Sequence, residues 1–127
     1  MSNMTNYLEN AIANAVVGTA SYTSPANVYL SLYTVAPTES TSGTEVSGNG
    51  YSRQEITFGN PTDGVVSSTA NVTFTASAGN SFSAVAYGVT DASTAGNILF
   101  YKNTATVEAT DTESLVFQTG DITITFD

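Results

Sequence analysis

Residues 27–34 read NVYLSLYT, which sets Val28, Leu30 and Leu32 on one face of an extended chain and Tyr29, Ser31 and Tyr33 on the other. Such alternation is the mark of a β-strand, because successive side chains point to opposite faces. The two tyrosines on the second face imply either partial cover or an interface, since a phenol ring buries its body and keeps its hydroxyl bonded.

Reading downstream, residues 37–58 (PTESTSGTEVSGNGYSRQEITF) form a polar loop of about a dozen residues that tightens at Ser47-Gly48-Asn49-Gly50 and enters a strand expected over about 51–59. Asn60-Pro61-Thr62-Asp63-Gly64 is a turn, with φ fixed at Pro61 and positive φ accepted at Gly64. Further strands are expected over about 70–76, 84–91, 97–103, 105–109, 114–119 and 121–126. Of these, 97–103 is apolar on both faces and so belongs inside a sheet. The small residues Ala84, Ala86 and Gly88 permit close approach of another backbone. Upstream, Leu8, Ile12, Ala15 and Val16 share one stripe of a helix expected over about 4–17, with Asn3 or Thr5 as its cap and Gly18 at its end. That stripe covers either this domain's own core or a neighbouring subunit.

About seven or eight short strands with Gly- and Asn-rich turns predict a mainly β chain. The expected fold is a single domain over residues 1–127, an antiparallel β-sandwich or jelly-roll-like unit with one short N-terminal helix.

Composition narrows the function. The chain has no cysteine and no histidine, which removes thiolate chemistry and the commonest general base and metal ligand. An enzyme is therefore not expected, and no cofactor is. Two basic residues against 11 acidic ones give a net charge of −9, the wrong sign for nucleic acid or an anionic membrane surface. The N-terminal segment lacks a basic region and does not read as a signal peptide, so synthesis and folding in a cytoplasm are expected. Low charge leaves a neutral, hydroxyl-rich surface.

The chemistry left is carboxylates, tyrosines and hydroxyls. Asp111, Glu113 and Asp121 match no calcium-loop spacing and read as solvated turn residues. Gly48-Asn49-Gly50 lacks the lysine and following helix of a phosphate loop, so it reads as a tight turn. Arg53 lies close in sequence to Glu45 and Glu55. It forms either a local ion pair or a fork onto a carboxylate of another subunit.

The segments Asn6 to Glu9, Tyr29 to Thr34, Ala36 to Thr38 and Gly43 to Gln54 together resemble a family of small structural proteins of tailed bacteriophages and prophages, many labelled tail fibre or virion proteins. In that family a short Asn-Tyr-Leu-Glu helix precedes a strand of the form LYxALYT, then Ala-Pro-Thr, then GTEVSGGGYARQ. Here Asn49 replaces a glycine and Ser52 an alanine. The resemblance implies a virion component without enzymatic activity. A compact domain without heptads or repeats is expected to act as a capsid decoration or cement protein on the outer surface of the particle. Its partners would be capsid protein or copies of itself, a homo-oligomer that could be a trimer. Expected assembly contacts are Tyr7, Leu8, Tyr29, Tyr33, Glu45, Tyr51, Arg53 and Glu55. The alternative is a tail fibre or glycan-binding module that uses Tyr29, Tyr33 or Tyr51 as stacking platforms.

Overall fold

A long hairpin of β7 (Ser81–Thr90) and β8 (Ile98–Thr110) is the spine of the computed structural model, which describes residues 3–126. Against β7 lies β2 (Val28–Val35), antiparallel, with Leu30 opposite Val89 and Leu32 opposite Tyr87. The other side of β2 is shared by two short strands, β4 (Gln54–Ile56) and β3 (Thr44–Glu45). On the far side of β8, β1 (Asn3–Met4) pairs with Tyr101 and Phe100. The sheet then curls, as a bridge from Phe58 to Ser68 leads toward β5 (Val65–Ser67), which pairs with β10 (Thr123–Thr125). A separate ribbon is made by β6 (Val72–Phe74) and β9 (Leu115–Phe117). The class is as expected: mainly β, antiparallel, with one short helix near the N-terminus.

Alternation in the sequence becomes burial in the fold. Leu30 and Leu32 meet Phe74, Ile122 and Ile124 in the core, and each such side chain contributes about 1.5–3 kcal/mol by leaving water. Aromatic rings fill the centre: Tyr51 stacks on Phe74 with centroids 5.9 Å apart, while Phe117 meets Phe74 and Tyr87 edge-on. The second face of β2 is covered by the chain itself. Tyr33 is 2% exposed, and its ring lies so close over Gly88 that a Cβ there would sit 3.0 Å from Tyr33 Cε2. Ser31 Oγ, also buried, lies 2.9 Å from the Tyr33 hydroxyl and 3.1 Å from the Gly88 carbonyl. The small residues of β7 thus give room to a tyrosine.

Helix α1 (Asn6–Val17) starts at Thr5, whose hydroxyl accepts from the Leu8 N–H, and ends at Gly18 with φ 77. Both caps lie where the sequence places candidates. Its apolar stripe is only half used, however: Leu8 is buried and Ile12 half-buried, whereas Val16 and Val17 are 78% and 70% exposed. No described helix is long and apolar enough to cross a membrane.

Several elements differ from expectation. The strands expected at 97–103 and 105–109 are one strand, β8, interrupted by a bulge: Ala84 faces Val107 and Ala86 faces Asn103, so residues 104–106 of β8 oppose Val85 alone. The extra residues shift the inward register, which reads in sequence as a break. The strand expected at 51–59 is narrower, Gln54–Ile56, because Tyr51 leaves the ladder to enter the core. The strands expected at 70–76, 114–119 and 121–126 shorten in the same way to three residues each. Unexpected are β1, β3 and β5. β5 follows a two-residue hairpin loop in which Asp63 and Gly64 both have positive φ, 51 and 78, and Thr62 and Val65 exchange backbone hydrogen bonds. Asp-Gly is the dipeptide this loop favours.

Candidate functional site beneath the 38–54 loop

The turn before Tyr51 is built from three left-handed residues, Gly48, Asn49 and Gly50, with φ of 74, 56 and 87. Asparagine accepts this conformation better than most residues. At Gly50 glycine is also needed for space, since a Cβ would meet the Ser77 nitrogen at 2.5 Å. Asn49 fastens the turn by accepting from the Ser77 N–H at 2.9 Å and donating its side-chain amide to the Ser81 carbonyl at 2.9 Å.

This geometry sends the Tyr51 ring into the core and leaves its hydroxyl between two partners. It accepts from the Leu32 N–H at 3.0 Å and donates to Glu45 Oε2 at 2.7 Å. Arg53, two residues on, forks onto the same carboxylate, Nε to Oε2 at 2.8 Å and Nη2 to Oε1 at 2.9 Å. Its Nη1 donates to the carbonyls of Ala92 and Ala95 in the turn between β7 and β8. Arg53 therefore ties three pieces of chain together: β3, the entry to β4, and the 91–97 turn. That turn is held in its own right, as Asp91 accepts from the Asn97 backbone and side-chain amides.

The electrostatics follow from these contacts. Burial by itself would raise the Glu45 carboxyl, but hydrogen bonds from Arg53 and Tyr51, together with the Arg53 charge, hold it below the usual carboxylate range. The Arg53 guanidinium is raised, chiefly by its hydrogen bond to Glu45. Burial pushes the Tyr51 hydroxyl well above the usual tyrosine value, and the adjoining Glu45 carboxylate adds to that. The cluster is an ion pair with a neutral phenol, and it stays so across the physiological range.

Three surface hollows of about 340, 230 and 240 Å³ adjoin along this cluster. The first two share Glu45, Arg53 and Ala95 as lining, and the last two share Ser42, Gly96 and Ile98. Together they make one trough between the 38–53 segment and the 93–98 turn, running from Ser47 to Tyr7.

Of the residues expected in assembly contacts, the structure brings Glu45, Tyr51 and Arg53 together and sets Tyr33 beneath them. Tyr7, 45% exposed, lies at one end of the trough. Leu8 is a core residue. Tyr29 is half-buried on β2, opposite Glu55 on β4, which is exposed. Tyr33 is buried and so offers no stacking platform, whereas the Tyr51 ring stacks on Phe74, meets Phe82 edge-on and stays half-buried at the edge of the first hollow. Sequence reasoning misses the far wall of the trough, residues 93–98, since the carbonyls that Arg53 uses there carry no side-chain signal. Asp121 accepts the Gln118 N–H within its own turn, whereas Asp111 accepts the N–H of Gly79 from the turn before β7.

A family model described as Podophage GP4 fiber I protein gp80 matches residues 3–125 of the chain. No curated protein matches it significantly.

Proposed function

Because the chain belongs to the podophage GP4 fiber I protein gp80 family, we propose that this phage structural protein serves as a fibre-type, non-enzymatic component of the virion. The extent of the match carries this reading: residues 3–125 take in every strand from β1 to β10 and the helix. The folded unit as a whole corresponds to the fibre family, rather than a short tag on another fold.

Such a domain joins a particle through its surface. The outer half of α1 supplies an apolar patch, where Val16, Val17 and Phe126 are exposed around a hollow of about 650 Å³. Exposed contiguous apolar surface of this kind marks an association site, here with copies of the chain or another virion subunit. A capsid-decoration role is the second reading, favoured by a six-stranded antiparallel sheet with two short ribbons and no shaft-like element among the described residues.

Imaging intact particles with a bound antibody fragment tests both. Label on fibres supports the first reading, and label over the shell supports the second. Particles that bind no fragment while the free protein does would overturn a virion role.

A further inference from the structure

The trough between the 38–53 segment and the 93–98 turn is not used by the fibre reading. Its walls combine a few large side chains, Tyr7, Tyr51 and Ile98 among them, with many hydroxyls, including those of Thr38, Thr41, Ser42, Ser47, Ser93 and Thr94. Within the chain, and among the described residues, the side-chain hydroxyls of Ser42, Ser47, Ser93 and Thr94 make no hydrogen bond. They are exposed donors and acceptors, and a ligand carrying its own hydroxyls takes the place of solvent on them at little cost.

The floor beneath them is rigid. Arg53 is bonded to Glu45, Ala92 and Ala95, and Glu45 also receives the Tyr51 hydroxyl. At the far end Thr38 and Thr41 bond to each other through their hydroxyls at 2.7 Å. Pre-formed walls spare a ligand the cost of ordering them.

Charge selects the kind of ligand. The only cation in the trough, Arg53, is neutralised by Glu45, and Glu39 adds an uncompensated carboxylate on a chain of net charge −9. An anionic ligand meets repulsion at every approach. We propose that the trough is a binding site for a saccharide chain, neutral or amine-bearing, whose hydroxyls bond the free serine and threonine hydroxyls of the two walls. The open ends suit an extended oligosaccharide rather than a compact small molecule. Affinity then comes from several weak contacts, and display of many copies on a particle strengthens it. The trough is carried by geometry and charge and stands apart from the apolar patch on α1, so the outcome here is independent of where the protein sits in the virion.

The test is titration of the purified chain with neutral, amine-bearing and anionic oligosaccharides of matched length, followed by nuclear magnetic resonance of backbone amides. Saturable shifts of residues 40–53 and 93–98 with the neutral or amine-bearing set, and none with the anionic set, are expected. Ser42→Tyr and Thr94→Tyr, which crowd the trough while leaving the Glu45–Arg53 pair alone, should weaken that binding by about tenfold or more without moving the thermal midpoint. If either variant unfolds, Ser42→Ala with Thr94→Ala gives the same reading by removing hydroxyls alone. Saturation by anionic sugars only, binding indifferent to these substitutions, or no binding by any sugar while the same variants fail to enter particles would each overturn the proposal. The last outcome would make the trough a protein joint.

Discussion

Arg53 holds Glu45 at two points, Nε on Oε2 at 2.8 Å and Nη2 on Oε1 at 2.9 Å, and its side chain is only 11% exposed. A pair of this geometry differs from an ordinary surface ion pair, which contributes little. Replacing Arg53 by alanine leaves a half-buried carboxylate and two carbonyls without their donor. The expected cost is about 2–4 kcal/mol of unfolding free energy, measured in denaturant. Arg53→Lys should recover only part of it, because an ammonium cannot make the planar fork. A loss within experimental error in the alanine variant would show that the cluster is ornamental.

Acid should weaken the same cluster. Since the folded-state value of Glu45 is lowered, its contribution is present above the ordinary carboxylate range, about pH 4.3, and is lost as pH falls through the lowered value. The stability gap between the native chain and Glu45→Gln should therefore be full at neutral pH and close at lower pH. Parallel curves across the whole acid limb would contradict this.

Tyr51→Phe removes a hydroxyl that satisfies both the Leu32 N–H and the Glu45 carboxylate. About 1–3 kcal/mol should be lost, the usual cost of an orphaned buried donor. Because the folded value of Tyr51 is raised, its neutral form stabilises the fold below the ordinary tyrosine value of about 10. Above that pH the unfolded state ionises first and the contribution drains away. The phenylalanine variant should show a shallower alkaline decline than the native chain.

Two glycines in one turn separate strain from crowding. Gly48→Ala meets nothing within 4 Å and bears only the positive φ, about 1–2 kcal/mol. Gly50→Ala bears that and a clash with the Ser77 backbone at 2.5 Å, so it should be clearly the worse of the two by thermal unfolding. Equal midpoints would mean that the turn can slide away from Ser77.

On α1, Val16→Asp with Val17→Asp changes exposed residues and should leave stability within about 0.5 kcal/mol. Incorporation into particles, counted by quantitative blotting of purified virions, should fall sharply. Normal incorporation would move the assembly contact elsewhere.

The fold class was legible because Leu30, Leu32, Ile122 and Ile124 obey a period of two and because, Ala95 apart, the turns carry Asn, Asp and Gly where positive φ occurs. Thr5 and Gly18 were equally readable as caps, since capping is local chemistry. Strands of two or three residues, β1 and β3 above all, were not, because so short a segment has no period and exists only through its partner strand. For the site, the pairing of Arg53 with a nearby carboxylate could be anticipated from sequence distance, whereas its two carbonyl partners could not. The inward aim of Tyr33 and Tyr51 depended on Gly88 and on the Gly48–Gly50 turn, long-range facts that one strand's pattern does not hold.

The bulge at residues 104–106 has a bearing on how copies can meet. Beyond the two residues covered by β1, the rim of β8 bends where three residues face one, and Lys102 stands beside the bend. A kinked, charged rim is a poor template for another strand. This rim of the sheet therefore gives a second copy no straight ladder of backbone groups to extend.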